Sequence, residues 1–143
     1  MAVRKADATW NGGIMDGSGS LKLESGAFEG AYSFNSRFGD DTTKTNPEEL
    51  IAAAEAGCYT MALSGNLGRA GYQPKTINTT ASVKIEKQEG GFHIPSIAVE
   101  TVAEVPNISD DEFQQIAEKT KQTCPVSQVL AGAEITLKAT LKS

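Results

Sequence analysis

The segment 47–70 constrains the fold of this chain most, because it is the clearest helix in the sequence. Asn46 can cap its first turn, Pro47 suits the first helical position, and Glu49 lies three residues after the cap. Gly71 is expected to end the helix. Spacings of three and four residues predict one packed face along it. That predicted face consists of Leu50, Ala54, Cys58, Met61, Ala62 and Gly65.

Two short segments before this helix alternate apolar and polar residues, which is typical of strands. They are residues 20–24, with the sequence SLKLE, and residues 34–38, with the sequence FNSRF. Because side chains alternate across a strand, a strand over the second segment would place Arg37 on the face opposite its two phenylalanines.

Three further segments alternate in the same way after the helix. Residues 77–87 and 92–105 predict a pair of strands joined by a glycine turn at 90–91. The inward-facing set of side chains changes at Pro95, so we expect a bulge or an edge position there. A last strand is predicted over residues 133–141.

A second helix is predicted to begin after Ser109. Ser109 and Glu112 have the spacing of a capping box, in which the serine caps the helix and the glutamate lies at its third position. Pro125 is expected to stop the helix just after Cys124, and residues 127–130 favour a further turn. The apolar stripe of this helix is Phe113, Ile116, Ala117 and Thr120.

The order of the predicted elements is typical of an α+β domain with mostly antiparallel pairing. A chain of 143 residues is long enough for one domain, which we expect over residues 1–143. The net charge is −5, and an acidic surface repels phosphate, which argues against a nucleic-acid partner. No stretch approaches the roughly 20 apolar residues of a membrane helix, and the N-terminus lacks the apolar core of a signal peptide. We therefore expect no membrane partner and a cytoplasmic location.

Thiol chemistry is the chemistry that the composition favours, because the chain has two cysteines and one histidine. Cys58 falls inside the first predicted helix and Cys124 falls at the end of the second. A reducing cytosol disfavours permanent disulfides, so two thiols kept there are more often buried bystanders or redox-active groups. The two cysteines lie 66 residues apart, and the sequence by itself does not bring them together.

A thiol nucleophile reacts as its thiolate, which forms readily at neutral pH only where a cation stabilises it. His93 lies on a predicted strand beside a turn and is a poor partner for either cysteine. Arg37 is the better candidate, and a carboxylate could hold its guanidinium in place. Glu48, Glu49 and Glu55 are all candidates for that carboxylate. Two cysteines and one histidine at such wide spacing fit no usual zinc site.

Four stretches of the chain together closely resemble the OsmC family, the osmotically inducible protein C type of peroxidase, whose sister is the organic hydroperoxide resistance (Ohr) family. The stretches are ATWNGG, TNPEELIAAAEAGCYTMALS, CPVSQVL and ITLKATLKS, and the similarity covers nearly the whole chain. The resemblance implies a cysteine-based peroxidase that reduces organic hydroperoxides to alcohols without metal, haem or flavin. It implies that Cys58 is the peroxidatic cysteine and that Cys124 is the resolving one.

The resemblance also implies a fold and partners. The fold is OsmC-like, with mostly antiparallel sheets packed around a long central helix and a second helix. Two chains are expected to form an intertwined homodimer with a site near each interface. Dihydrolipoamide or lipoylated proteins are the implied dithiol reductant.

By the same resemblance, Arg37 matches the arginine of the OsmC branch, and Glu48 matches the carboxylate that orients it. Residues 6–20 contain no arginine, which favours OsmC over Ohr. However, Glu48 precedes Cys58 by ten residues, and ten residues of straight helix rise about 15 Å. Either the helix breaks near Ile51, or Arg37 and Glu48 reach the site from the partner chain.

Apolar residues near such a site would favour organic hydroperoxides over hydrogen peroxide. The expected ones are Phe34, Phe38, Met61 and Leu130. An alternative function is a redox sensor or binding protein, in which the same two thiols switch the fold without turnover. A third interpretation is a structural domain with two buried, inert thiols. The chain has no recognisable DNA-binding element, which weighs against a transcriptional sensor.

Overall fold

A three-stranded antiparallel sheet opens the chain in the computed structural model, which describes residues 1–142. Its strands follow each other in the order of the sequence, β1 (Ala6–Asn11), β2 (Ser18–Leu23) and β3 (Glu29–Tyr32). The strand predicted at 20–24 is therefore confirmed as part of β2. The sheet belongs to a first unit that spans Met1–Leu50, and a second unit begins at Ile51. The expectation of one domain over residues 1–143 stays a prediction, and Ser143 lies outside the described residues.

The strand predicted over 34–38 is wrong, because this segment forms the short helix α1 (Phe34–Phe38). Ser33 and Ser36 form a reciprocal capping box, in which each hydroxyl accepts the backbone N–H of the other residue. These local hydrogen bonds decide the structure, since five alternating residues fit either a strand or one helical turn. On the helix Phe34 and Phe38 lie together, with ring centroids 5.1 Å apart. The Arg37 guanidinium lies 5.0 Å from the Phe38 ring centroid.

The long helix is present as predicted, as α2 (Pro47–Arg69). Its cap is Asn46, whose side-chain oxygen accepts the backbone N–H of Glu49 at 2.8 Å. Gly71 follows the helix with a φ of 92°, a left-handed conformation that glycine adopts without strain. The helix is continuous through Ile51, so the break considered there is wrong.

The buried side of α2 is not the predicted one. Met61, on the predicted face, has an exposed fraction of 80% and Cys58 is half-buried. From Ile51 onward, the buried residues of the helix are spaced by four, which is one face of a helix. A charged residue among them concealed this stripe in the sequence. The buried stripe consists of Glu55, Tyr59, Leu63 and Leu67.

Four strands follow α2, where two were predicted. The segment predicted as one strand over residues 77–87 is interrupted at Lys84 and Ile85, and the segment predicted over residues 92–105 is interrupted at Ile94 and Pro95. Pro95 thus lies between two strands and outside both, which fits its lack of a backbone donor. The strands are β4 (Thr76–Val83), β5 (Glu86–Gln88), β6 (Gly91–His93) and β7 (Ser96–Glu104).

Two helices and a strand complete the chain: α3 (Asp110–Thr123), α4 (Pro125–Val129) and β8 (Glu134–Lys142). Ser109 caps α3 as predicted, since its hydroxyl accepts the backbone N–H of Glu112 at 3.2 Å. The Glu112 carboxylate does not complete a capping box and instead accepts the hydroxyl of Tyr72 at 2.5 Å. The further turn predicted at 127–130 corresponds to α4.

The sheet of the second unit has the order β4-β7-β8. Strand β4 pairs with β7 antiparallel, β8 pairs with β7 parallel, and β5 and β6 form a separate hairpin. Mostly antiparallel pairing is therefore confirmed. The core of this unit combines α2, α3 and the inward side of β7. Its buried apolar residues are Tyr59, Leu63, Leu67, Ile97, Val99, Ala103, Val105, Phe113 and Ala117. No helix among residues 1–142 is long and apolar enough to cross a membrane.

Candidate functional site

The two cysteines meet in the second unit. Cys58 lies in the middle of α2, and Cys124 lies at the junction of two helices, where it ends α3 and precedes α4. The Cys124 thiol donates to the sulfur of Cys58, with the two Sγ atoms 3.1 Å apart. A disulfide needs an S–S distance of about 2.05 Å, so a shift of about 1 Å separates the two free thiols from a covalent bond. The fold thus joins two thiols that the sequence leaves 66 residues apart.

The surroundings of Cys58 in its own unit favour the protonated thiol. Burial raises the pKa of Cys58 above its ordinary value, and the hydrogen bond with Cys124 raises it further. The charge of Glu55 acts in the same direction, whereas a backbone hydrogen bond from Val126 lowers the pKa. Because the nucleophile of thiol chemistry is the thiolate, this site needs a positive charge from elsewhere to be reactive at neutral pH.

Beside the thiols lies a second contact between the same two helices. Ser127 donates its hydroxyl to Oε1 of Glu55 at 2.5 Å, and both side chains are buried. Glu55 precedes Cys58 by three residues and Ser127 follows Cys124 by three, so the two contacts are one helical step apart. Sequence reasoning missed Ser127 as a site residue. No signal in the sequence marks it, because its hydrogen bond with Glu55 joins residues far apart in the chain.

The predicted cation and its carboxylate form a pair in the first unit. Arg37 donates from Nη2 to Oε1 of Glu48 at 2.8 Å and from Nε to the same oxygen at 3.1 Å. Glu48 is 6% exposed, so this ion pair is well shielded on the carboxylate side. The other two candidates have different partners, since Glu49 accepts the hydroxyl of Thr45 and Glu55 accepts that of Ser127. Glu48 is thus the carboxylate that orients the guanidinium.

The four predicted site residues therefore form two pairs, one in each unit. The thiols of Cys58 and Cys124 are brought together, as are Arg37 and Glu48. Glu48 and Cys58 lie on one unbroken helix, along which ten residues rise about 15 Å.

A groove of about 590 Å³ runs along α2 next to the cysteine. Gly57 and Met61 line it from the helix, and residues 74–79 line its other side. Its lining does not include Cys58 itself. Among residues 1–142, no group of three or more histidine, cysteine, aspartate or glutamate side chains is arranged to hold a metal ion.

Comparison with known proteins gives consistent matches. The family model described as OsmC-like protein matches residues 39–139. The chain is 48% identical over 141 residues to the protein named Peroxiredoxin OsmC from Escherichia coli (strain K12), which covers 98% of this chain and 97% of that one. It is 34% identical over 89 residues to the organic hydroperoxide resistance protein of Xanthomonas axonopodis pv. citri, covering 62% and 61% of the two chains.

A solved structure matches as well. The crystal structure of an organic hydroperoxide resistance protein from Elizabethkingia anophelis superposes with a TM-score of 0.72 at 29% identity. The match covers 99% of this chain and 98% of that one. The predicted fold class is thereby confirmed.

Proposed function

The chain belongs to the OsmC-like protein family, and on this premise we propose that it is a peroxidase that reduces organic hydroperoxides to alcohols through Cys58 and Cys124. The observation that carries the proposal is the 3.1 Å separation of the two sulfur atoms. The names of the relatives, peroxiredoxin and organic hydroperoxide resistance protein, support this reaction and this class of substrate.

The reaction proceeds in two steps on the protein. The Cys58 thiolate attacks the outer peroxide oxygen, the O–O bond breaks, and the alkoxide leaves with a proton as the alcohol. Cys58 is then a sulfenic acid, the first and reversible stage of thiol oxidation. The sulfur of Cys124 attacks the sulfur of Cys58, a disulfide forms, and water leaves. The short distance between the thiols favours this second step over further oxidation of Cys58.

An external dithiol closes the cycle by two thiol–disulfide exchanges. We propose dihydrolipoamide or a lipoylated protein in this role. The dithiol is oxidised to its cyclic disulfide, and both cysteines return to thiols. The cytoplasm is the proposed location, because its reducing conditions keep such a dithiol available.

The positive charge that Cys58 needs is assigned to Arg37 of the partner subunit in an intertwined homodimer. Three observations support this assignment. The pKa of Cys58 is raised by its own unit, α2 is unbroken, and Glu48 holds Arg37 by hydrogen bonds from two of its nitrogen atoms. A guanidinium fixed in this way stabilises a thiolate without the entropy loss of a free arginine side chain.

The same assignment explains the choice of organic substrates. Phe34 and Phe38 flank Arg37 on α1, so a subunit that supplies its arginine also supplies two aromatic rings. Met61 is largely exposed on α2 and adds an apolar surface one helical turn from Cys58. Leu130 is half-buried against the core at the end of α4. An alkyl or aryl hydroperoxide gains from contact with these groups, whereas hydrogen peroxide does not.

A thiol titration tests the peroxidase directly. Reduced protein receives one equivalent of cumene hydroperoxide, free thiols are counted under denaturing conditions, and the assay is repeated with dihydrolipoamide and excess peroxide. We expect both thiols to disappear, an intramolecular disulfide to form and many equivalents to be consumed. Cys124→Ser is the matched control and should yield a sulfenic acid without a disulfide. Consumption of a single equivalent would indicate a redox sensor, and two surviving thiols would refute both functions.

Mixed dimers test the role of the partner subunit. Cys58→Ser homodimers are expected to be inactive and Arg37→Met homodimers to be at least about 10-fold slower than wild type, because neither contains a complete site. If sites are shared between subunits, mixing by unfolding and refolding restores about a quarter of the wild-type activity, since half the dimers are mixed and each has one complete site. If Arg37 acts within its own chain, the mixture shows only the residual activity of the Arg37→Met chains.

A further inference from the structure

Glu55 is a buried ionisable group that the reaction above does not use. Its side chain is fully buried in the second unit, and Ser127 donates to its Oε1. Its other oxygen, Oε2, is buried and has no hydrogen-bond partner among residues 1–142. Buried polar atoms are almost always paired, so an unpaired carboxylate oxygen calls for an explanation.

The unpaired oxygen determines what this group can do. Oε2 is buried and has no donor of its own, so it is free to accept a hydrogen bond or a proton from a donor that comes within reach. A carboxyl group held at one oxygen and free at the other is suited to take up and release a proton within a protein interior.

The position of Glu55 relates this proton to the thiols. Glu55 and Cys58 are three residues apart on α2, where side chains are neighbours with Cβ atoms about 5–6 Å apart. Ser127 follows Cys124 by the same number of residues, so the contact of Glu55 with Ser127 and the contact of the two sulfur atoms join neighbouring positions of the same two segments. The charge of Glu55 is also one of the causes that raise the pKa of Cys58.

We propose that Glu55 transfers the proton during formation of the Cys58–Cys124 disulfide. Its carboxylate takes the proton from the Cys124 thiol as that sulfur attacks the sulfenic sulfur of Cys58. The S–S bond forms, the S–O bond breaks, and the protonated carboxyl gives the proton to the departing hydroxyl, which leaves as water. One sulfenic acid and one thiol thus become one disulfide and one water, with no net change at Glu55. This inference rests on the proposed peroxidase function.

Reduction of the disulfide uses the same group in reverse. When an external thiol attacks Cys58, the sulfur of Cys124 leaves from a buried position. The Glu55 carboxylate takes the proton of the attacking thiol and passes it to the Cys124 sulfur, so no unpaired charge remains at the buried cysteine. Glu55 is a carboxylate before and after this step.

Glu55→Gln separates a proton-transfer role from a structural one. Glutamine keeps the size of the side chain and an oxygen for Ser127, but it cannot carry a proton. We expect disulfide formation, followed by stopped-flow and chemical quench after one equivalent of peroxide, to slow by about 100-fold or more. Sulfenic acid formation, trapped with dimedone in a Cys124→Ser background, should be no slower than without the Glu55 change. Glu49→Gln is the matched control, an exposed acid of the same helix whose loss should change neither step.

The solvent isotope effect gives a second readout. A wild-type disulfide step limited by proton transfer slows in D₂O, and Glu55→Gln should lose this effect. Ser127→Ala keeps the carboxyl and should keep the isotope effect at a reduced rate.

The outcomes distinguish this inference from the proposed function. Wild-type protein that forms no sulfenic acid at Cys58 refutes the peroxidase. Normal sulfenic acid formation, with a wild-type rate of disulfide formation in Glu55→Gln, overturns the role of Glu55 alone. If Glu55→Gln does not fold, the absence of a solvent isotope effect in the wild-type disulfide step overturns it equally, and its presence in both wild type and Glu55→Asp supports it.

Discussion

The two units of this chain are stabilised in different ways. The second unit buries an apolar core between its helices and its sheet. In residues 1–50, all of which the structure describes, no large apolar side chain is buried, and the buried groups Ser36, Thr45 and Glu48 are polar. The difference indicates that burial of apolar side chains contributes more to the stability of the second unit than to that of the first.

The groups that the proposed reaction uses are also divided between the two units. The second unit holds both thiols, and its burial raises the pKa of Cys58. The first unit holds the guanidinium and the carboxylate that orients it. The proposed reaction uses the thiols of the second unit and the ion pair of the first, and each of the following changes tests one of the two units.

Cys58→Ser should have the largest effect, because it removes the nucleophile. Turnover of cumene hydroperoxide with dihydrolipoamide should fall to the background rate, while the free energy of unfolding of the reduced protein changes by less than about 1 kcal/mol. Coupled assay and urea denaturation measure the two quantities. If Cys58→Ser consumed peroxide at the normal rate, the reacting group would not be the thiol pair of the second unit.

Arg37→Met tests the contribution of the first unit. Loss of the cation should raise the pKa of the Cys58 thiol and slow its oxidation at pH 7 by about 10- to 100-fold. The pH dependence of thiol alkylation reports that pKa. Lys44→Met is the control, a lysine of the same unit that pairs with Asp41 at 3.7 Å, and it should leave the rate unchanged. Equal effects of Arg37→Met and Lys44→Met would show that Arg37 acts only through the overall charge of the protein.

Leu63→Ala and Leu21→Ala compare the packing of the two units. Leu63 is completely buried, so its truncation should lower the free energy of unfolding by about 2–5 kcal/mol. Leu21 is half-buried in β2, and its truncation should cost about 1 kcal/mol. Urea denaturation at one fixed protein concentration measures both, since the stability of a dimer depends on concentration. A cost at Leu21 equal to that at Leu63 would show that the first unit has a core of its own in solution.

Tyr59→Phe should have the smallest effect at neutral pH. The buried hydroxyl donates to the backbone carbonyl of Ala117 at 3.0 Å, and its loss should cost about 1 kcal/mol. Burial raises the pKa of Tyr59, so the phenol keeps its proton in the folded state after the unfolded chain has lost it. Stability that is present below about pH 10 is therefore lost as the pH rises further, by up to about 1.4 kcal/mol per pH unit.

The contribution of the Tyr59 hydroxyl is measured by comparing the free energy of unfolding of wild type and Tyr59→Phe as a function of pH. The two curves should lie about 1 kcal/mol apart at neutral pH and converge above about pH 10. Parallel curves through that range would show that the Tyr59 hydroxyl is accessible to solvent in the folded protein.

Features set by local hydrogen bonds were predictable from the sequence. The caps at Asn46 and Ser109 and the left-handed glycine after α2 follow from residue types at fixed offsets, and all three are present. Alternation over five residues was a weaker signal, and α1 is the error that resulted. The buried face of α2 was misjudged because Glu55 interrupts its apolar stripe, and a charged residue is rarely buried without a tertiary partner.

The residues of the site could be predicted from the sequence better than the contacts between them. The resemblance identified Cys58, Cys124, Arg37 and Glu48, and their roles stay predictions. The sequence could not give the contact between Glu55 and Ser127, because the hydrogen bond joins residues far apart in the chain. Contacts of that kind depend on how the helices pack, and neither segment has a residue pattern that predicts them.

The junction that holds Cys124 has a consequence for the lifetime of the protein. A bond between Cys58 and Cys124 closes a loop of 66 residues, and such a closure restrains the unfolded chain by about 4 kcal/mol. In the proposed cycle, the oxidised protein is therefore more resistant to local opening and to proteolysis than the reduced protein. When peroxide is abundant, more of the protein is in the oxidised form, which would be degraded more slowly than the reduced form. The amount of the protein would therefore rise with the amount of peroxide, without new synthesis.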